Sequence, residues 1–300
     1  MKHRAHIMKR PVRVRKLAWI ISLIGVALLI TAISVVTFAH SPSPPPRSAP
    51  KASKTPPAQP AVYFHTLPPG AKLPSSAECA RLVRESPSPE VRPANAQFNH
   101  TRGQHVPPAF FPQGDTSQVE NLAPLINGDF TGTTEDILRW AACKWGIDQD
   151  IVFAQAAVES WWQQDYLGDW TTDSTRCPPG RGIGVDGVPG QCAQSYGILQ
   201  NNYAFEQAAW PGIATSTAMN ADVTYAIWRS CFNGYEVWLN NEPSGQRYGA
   251  GDLWGCVGRW FAGAWYTPAA DGYISKVQGY LSEHIWLQPA FARAKRPNQP

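Results

Sequence analysis

Glu159 is the residue of this chain whose type and position best fit acid catalysis. It lies near the end of an apolar helical run, and Trp161 and Trp162 follow it almost directly. A carboxyl group in such surroundings is expected to have a raised pKa, because burial disfavours its ionised form. General acids that work near neutral pH need this property. The sequence therefore predicts a general acid at Glu159.

A second segment, Ser195-Tyr196-Gly197-Ile198-Leu199-Gln200, follows the Glu159-Ser160 pair by about 35 residues. Together the two motifs resemble the lysozyme-like domain of lytic transglycosylases and goose-type lysozymes, enzymes that cut the glycan strands of peptidoglycan. In that family a Glu-Ser pair at a helix end carries the acid. A Gly-Leu-Met-Gln segment lines the sugar cleft, and here it reads Gly-Ile-Leu-Gln. The resemblance extends roughly from Glu135 to Trp286.

The resemblance implies a reaction with one carboxyl group. Glu159 would protonate the leaving glycosidic oxygen, and the N-acetyl group of muramic acid would assist. The glutamate would then take a proton from the 6-hydroxyl of that sugar, so that a 1,6-anhydro ring forms and no water is consumed. Gln200 would orient the sugar, with Ser160, Ser195 and Tyr196 at the cleft.

The third family motif, Ala-Tyr-Asn-Ala-Gly, is altered in this chain. Its place is taken by Arg259-Trp260-Phe261-Ala262-Gly263. The family tyrosine, which approaches the acid, is therefore missing from its expected position. Tyr266 is the predicted replacement.

Two other functions remain open from the sequence. A hydrolytic muramidase needs a second carboxylate near the acid, and four aspartates follow Glu159 closely: Asp165, Asp169, Asp173 and Asp186. A non-catalytic glycan-binding module is the third reading, suggested by the altered motif and the many tryptophans. Retention of Glu159 argues against pure binding, because a sugar-binding cleft has no need of a semi-buried acid.

Aromatic side chains are abundant in the same region. Twelve of the 13 tryptophans fall between Trp140 and Trp286. Aromatic rings stack on sugars but also fill protein cores, so most of these residues are expected in the core. The predicted sugar subsites are Trp161, Trp162, Trp170 and Trp260.

Several other chemistries are not supported. His284 is the only histidine of the helical region, which argues against Ser-His-Asp or Cys-His catalysis there. His100 and His105 are expected in solvated loops, and there is no Cys-x-x-Cys for a zinc site. Gly182 to Gly187 matches the dinucleotide fingerprint, but no strand precedes it and no helix follows directly. We therefore predict no metal, cofactor or nucleotide.

Charge is divided unevenly along the chain. Residues 1–77 hold 11 Lys and Arg and no acid, whereas the other 223 residues hold 15 Lys and Arg against 22 Asp and Glu, a net charge of −7. No basic face for nucleic acid is evident in the folded part. Residues 17–38 lack charge and follow a basic segment, 1–16, which predicts a transmembrane anchor with the rest of the chain outside the cytoplasm. Cleavage after Ala39, giving a secreted protein, is the alternative.

The remaining chain divides by composition. We predict a Pro-rich linker at 39–75, an irregular arm at 76–130, a mainly α-helical lysozyme-like domain at 131–291 and a tail at 292–300. Predicted helices span Thr134 to Trp145 and Thr217 to Asn240, and others begin after caps at Asp148, Asp252 and Thr267. Six cysteines in an exported chain suggest disulfides. Cys177–Cys192 is the favoured single bridge, and Cys79 is expected to staple the arm to the domain.

Overall fold

The computed structural model describes residues 62–107, 110–111, 120–241 and 246–293. The predicted basic N-terminus, the transmembrane anchor at 17–38, residues 39–61 of the linker and residues 294–300 of the tail lie outside these ranges. Among the helices in the described ranges, none is both long enough and apolar enough to cross a membrane.

The described part of the chain is mainly helical, as predicted. In chain order its α-helices are α1 (Ser76–Arg84), α2 (Ala96–Asn99), α3 (Thr134–Trp145), α4 (Gln149–Ser160), α5 (Gly212–Thr215), α6 (Thr217–Phe232), α7 (Leu253–Ala262), α8 (Pro268–Glu283) and α9 (Pro289–Arg293). Short 3-10 helices connect them at Pro93–Asn95, Ala123–Leu125, Ser174–Arg176, Gln207–Ala209, Val237–Asn241 and Ile285–Leu287.

Local capping signals set the bounds of the central helices where the sequence predicted them. The Thr133 hydroxyl accepts from the backbone N–H of Asp136, which completes a capping box at the start of α3. Gly146 ends α3 in the left-handed conformation, with φ of 58°. The Asp148 side chain caps α4, and the Thr267 side chain caps α8.

The predicted end of α6 is wrong. α6 stops at Phe232 instead of Asn240, because the chain turns at Gly234 with φ of 88°. After this turn only a 3-10 helix forms, at Val237–Asn241. The last long helix ends at Glu283, so Ile285 is buried by a separate 3-10 helix after the left-handed His284.

Helix α4 is buried along nearly its whole length. Every residue from Ile151 to Ser160 is buried, and α4 packs against both α3 and α8. A helix enclosed on all sides has no polar face, which explains its continuous apolar run. The predicted acid is therefore carried by a helix that is buried along nearly its whole length.

The arm and the end of the linker belong to the same core. Val83, Ile126 and Phe130 of the arm are buried in one cluster with the helices α3 and α4. Phe64 is buried as well, and the backbone N–H of Leu67 donates to the Gly146 carbonyl at 3.1 Å. The packed domain thus begins earlier than the predicted boundaries at 76 and 131.

Three disulfides join the six cysteines: Cys79–Cys143, Cys177–Cys192 and Cys231–Cys256. The first ties α1 to α3 across 64 residues, which confirms that Cys79 staples the arm. The second closes its own loop, as predicted. The third joins α6 to α7.

A small antiparallel sheet connects α4 to α6. Its strands are β1 (Leu167–Gly168), β2 (Ser195–Tyr196) and β3 (Asn201–Asn202), with β2 in the middle. Ser195 pairs with Gly168 on one side and with Asn202 on the other. This register brings polar side chains of three separate segments together.

Candidate active site

A cleft of about 1020 Å³ runs along the small sheet, and Glu159 lies in its wall. Glu159 also lines a second cavity of about 320 Å³, so the two spaces meet at this residue. Glu159 is 9% exposed. Of the residues predicted for the site, three more line the cleft: Ser195, Gln200 and Trp260.

Two tyrosines lie beside the carboxyl group of Glu159. The Tyr273 hydroxyl, from α8, donates a hydrogen bond to Glu159 Oε1. Burial raises the pKa of Tyr273 well above its usual value, and the charge and hydrogen bond of Glu159 raise it further. Burial and the charge of Glu159 likewise raise the pKa of Tyr225, on α6. Both hydroxyls therefore keep their protons next to the acid.

Tyr273, and not Tyr266, is the tyrosine that approaches the acid. The Tyr266 hydroxyl donates to Asp252, the cap of α7, at 2.9 and 3.0 Å from the two carboxylate oxygens. Tyr266 does not line the cleft, so the prediction for this residue is wrong. The sequence signal for Tyr273 was its place one turn before Val277, on the buried face of the last long helix.

The arm holds the turn that follows Glu159. Trp161 and Trp162 both adopt left-handed backbone angles, with φ of 59° and 61°, which few side chains other than glycine favour. Arg92 Nε donates to the Trp161 carbonyl at 2.8 Å, and Asn95 Nδ2 donates to the Trp162 carbonyl at 2.8 Å. The arm thus positions the end of the helix that carries Glu159.

The rings of Trp161 and Trp162 pack into the core, which corrects their prediction as sugar subsites. Trp162 is 1% exposed, and its Nε1 donates to the Phe153 carbonyl at 2.9 Å. Trp161 packs against Tyr280 and Phe291. Neither ring lines the cleft, because the turn after α4 directs both toward the C-terminal helices.

Ser160 is a buried link between the two sequence motifs. Its hydroxyl donates to the Ile198 carbonyl at 2.8 Å and accepts from the backbone N–H of Gln163 at 3.0 Å. The side chain is fully buried, so the predicted contact with substrate is wrong. Ser160 instead fixes the cleft segment against the helix that carries Glu159.

Ser195 belongs to a polar group at the sheet. Its hydroxyl donates to Asp169 Oδ2 at 2.5 Å, and Asn202 Nδ2 donates to the same oxygen at 3.1 Å. All three residues line the cleft. Asp169 is thus the one predicted aspartate that shares the cleft with Glu159.

Two hydrogen bonds to backbone carbonyls fix the side chain of Gln200. Its Nε2 donates to the Gly197 carbonyl at 2.9 Å and to the Tyr166 carbonyl at 3.1 Å. Its Oε1 lies so close to Gly168 that a Cβ there would be 2.3 Å away. A side chain at position 168 would therefore displace the Gln200 amide from this position.

Other predicted site residues lie elsewhere. Tyr196 is 1% exposed in a second small cluster, with Trp170 packed against it, and neither lines the cleft. Asp165 is exposed outside the cleft, and Asp173 caps a 3-10 helix. Asp186 is buried in an ion pair with Arg181 at 2.9 Å. The prediction of these five residues for the site is wrong, because none of them lines the cleft.

The cleft contains charged residues that the sequence analysis did not select. Arg259 Nε donates to Glu236 Oε2 at 2.5 Å, and its guanidinium lies 5.5 Å from the Trp238 ring centre. Burial raises the pKa of Glu236, which Arg259 opposes. Glu206 lies in the same wall and is 7% exposed. No local motif connects Arg259, Glu236 and Glu206 to one another, because they meet only through the fold.

Exposed aromatic rings stand at the cleft. Phe205 is 76% exposed, and Phe261 is 58% exposed and stacks on Tyr273 with centroids 4.9 Å apart. Phe261 lines both cavities beside Glu159. Rings in such positions are available for stacking on a sugar.

Neither a metal site nor a known relative adds to the description of this cleft. Within the described ranges, no three His, Cys, Asp or Glu side chains are grouped so that they could hold a metal ion. No family model, curated protein or solved structure matches the chain.

Proposed function

We propose that this protein is a peptidoglycan lytic transglycosylase, which cleaves the MurNAc-β-1,4-GlcNAc bond and forms 1,6-anhydro-MurNAc. One observation carries the proposal. Glu159 lies near the end of the buried helix α4, in the wall of the main cleft, and accepts a hydrogen bond from Tyr273. A largely buried carboxyl group in a cleft is the arrangement that glycosidic acid catalysis requires.

In the proposed reaction Glu159 is both the acid and the base. It protonates the glycosidic oxygen as the bond breaks, and the N-acetyl group stabilises the developing positive charge. The resulting carboxylate then removes the proton of the 6-hydroxyl, which closes the anhydro ring. Tyr273 holds Oε1 throughout and stabilises the negative charge between the two steps.

The form of the cleft suits a glycan strand. Its volume of about 1020 Å³ lies at the upper end of the range for ligand pockets, roughly 300–1,000 Å³. Its wall combines aromatic rings with amide and hydroxyl groups, among them Trp260, Phe261, Gln200 and Ser195. Sugars need both kinds of contact, because their faces are apolar and their edges carry hydroxyl groups.

The position of Asp169 supports a second candidate function, that of a hydrolytic muramidase. It shares the cleft with Glu159 and is oriented by Ser195 and Asn202. In a hydrolase it would act as the nucleophile or as the base for water. The two reactions differ by one water in the mass of the product.

We also propose that the enzyme works outside the cytoplasm, tethered by residues 17–38. The support is the basic segment before this uncharged stretch. Three disulfides agree with an oxidising compartment.

The test of the reaction type is a digest of purified peptidoglycan with the full-length protein, followed by mass spectrometry of the released muropeptides. The proposal predicts products one water lighter than hydrolysed ones. Products at the hydrolysed mass would replace it with the muramidase. Binding to insoluble peptidoglycan without any release would contradict both enzymes.

A further inference from the structure

Glu206 is a buried carboxyl group that the proposed reaction does not use. It follows β3, lines the same cleft as Glu159 and is 7% exposed. Its Oε2 atom has no hydrogen-bond partner within the described residues. A buried polar atom without a partner costs free energy, so a group retained in this state invites a functional explanation.

The surroundings of Glu206 keep it uncharged at neutral pH. Burial raises its pKa to about 8. The charge of Arg259 and backbone hydrogen bonds at Asn202 and Glu206 itself act in the opposite direction. Arg259 is itself paired with Glu236, so its charge is already partly compensated. A protonated carboxyl group is a hydrogen-bond donor, which an ionised one is not.

Phe205, the residue before Glu206, adds an apolar surface to the same cleft. Its ring is the most exposed large hydrophobic side chain of the described residues, at 76%, and it lines the cleft. An exposed aromatic ring in the wall of a cleft is available for stacking on a sugar. A ring next to a neutral hydrogen-bond donor matches the two sides of a sugar, an apolar face and a polar edge.

We propose that Phe205 and Glu206 form a sugar-binding subsite of the cleft. In it the phenyl ring stacks on one sugar, and the carboxyl group donates a hydrogen bond to a hydroxyl or N-acetyl oxygen of that sugar. The proposal rests on the proposed function for the identity of the ligand. It gives Glu206 a role in binding and not in proton transfer to the glycosidic bond.

The test is calorimetric binding of an N-acetylglucosamine hexamer to the Glu159→Gln protein, which is expected not to turn it over. Affinity is measured at pH 6 and at pH 9.5, below and above the pKa of Glu206. We expect affinity to fall by about threefold to tenfold at the higher pH, the equivalent of one hydrogen bond. When Glu206→Gln is added to the Glu159→Gln protein, position 206 keeps a hydrogen-bond donor but can no longer ionise. The affinity should then be equal at both pH values.

Two further variants complete the test. Phe205→Ala removes an exposed ring without opening the core and should weaken binding at both pH values. Glu85→Gln, an exposed carboxyl group outside the cleft, should leave the fall with pH unchanged.

The outcomes separate the two proposals. A fall with pH that persists in Glu206→Gln, or full affinity in Phe205→Ala, would overturn the subsite while the proposed function stands. No binding of the hexamer or of peptidoglycan by any variant at either pH would overturn both. Circular dichroism of each variant checks that it is folded.

Discussion

The Tyr273 hydroxyl donates a hydrogen bond to Oε1 of Glu159, across 114 positions of the sequence. It joins α8 to the end of α4 at the point where two cavities meet. The bond fixes one oxygen of the acid and keeps the tyrosine protonated. A donor held in this way stabilises the carboxylate that remains after proton transfer.

Removing this donor should slow catalysis without preventing binding. We expect Tyr273→Phe to lower kcat by about 10-fold to 100-fold, since hydrogen bonds to charged groups contribute roughly 1.5–3 kcal/mol. KM should change little, and initial rates of muropeptide release measure both constants. Tyr280→Phe, on the same helix, is the matched control and should keep its kcat. Equal rates for Tyr273→Phe and the wild type would show that this hydroxyl has no part in the reaction.

Asp169 separates the two candidate reactions. If Glu159 acts alone, Asp169→Asn should reduce the rate by less than about threefold, because the amide retains the bond from Ser195 and loses only a charge. If the enzyme hydrolyses its substrate, the same change should cost roughly 100-fold or more. Asp173→Asn, in an exposed turn, is the control. Rates and product masses are measured in the same digest.

The arm should prove necessary for the stability of the turn after Glu159. Arg92 is buried, donates to the carbonyls of Trp161 and Phe291, and has its pKa lowered to about 10 by burial. Arg92→Met leaves these carbonyls without donors, at about 1–3 kcal/mol for each. We therefore expect the free energy of unfolding in urea to fall by roughly 2–5 kcal/mol.

Arg102 is the control for the arm. It lies in the same region but forms an exposed ion pair with Asp129. Arg102→Met should change the free energy of unfolding by no more than about 1 kcal/mol. Equal effects of the two substitutions would contradict the positioning role of Arg92.

Glu206 should make the stability of the protein depend on pH. Its folded pKa of about 8 lies above the ordinary value of 4.5. Between these pH values the folded state holds a proton that the unfolded state has released. The free energy of unfolding therefore contains a contribution from Glu206 that is present below about pH 4.5 and is lost as pH rises through 8.

Glu206→Gln should remove that dependence. When the pH is raised from 5 to 8.5, the wild type loses this contribution and the variant does not. The free energy of unfolding of the variant, relative to that of the wild type, should therefore rise by on the order of 3–5 kcal/mol. Urea unfolding at several pH values measures the difference, and Glu85→Gln should show no such gain. A constant difference between wild type and Glu206→Gln would mean that Glu206 is ionised in the folded protein at neutral pH.

The sequence predicted features that depend on neighbouring residues. The capping box of Thr133 and Asp136, the left-handed Gly146 and the Thr267-Pro268 start each act within one helical turn. Glu159 was found because its apolar helix and its family motif lie together in the chain. Interactions between neighbouring residues are enough to predict such elements.

Long-range features escaped the sequence analysis. Trp161 and Trp162 stand next to the acid in the chain, yet Arg92 and Asn95 hold the turn that directs their rings into the core. Tyr273 reaches the second cavity and Glu206 reaches the cleft from segments that no short motif connects to Glu159. Such contacts depend on the packing of whole helices, which periodicity alone does not give.

The central claim is that Glu159 carries the chemistry of glycan cleavage, and one comparison tests it most directly. Soluble muropeptides released from purified peptidoglycan are quantified for the full-length wild type and for Glu159→Gln, with the fold of both verified by circular dichroism. The account predicts that the substitution lowers the rate by about 100-fold to 10,000-fold, the usual contribution of a general acid. Release at the wild-type rate by folded Glu159→Gln protein would contradict it.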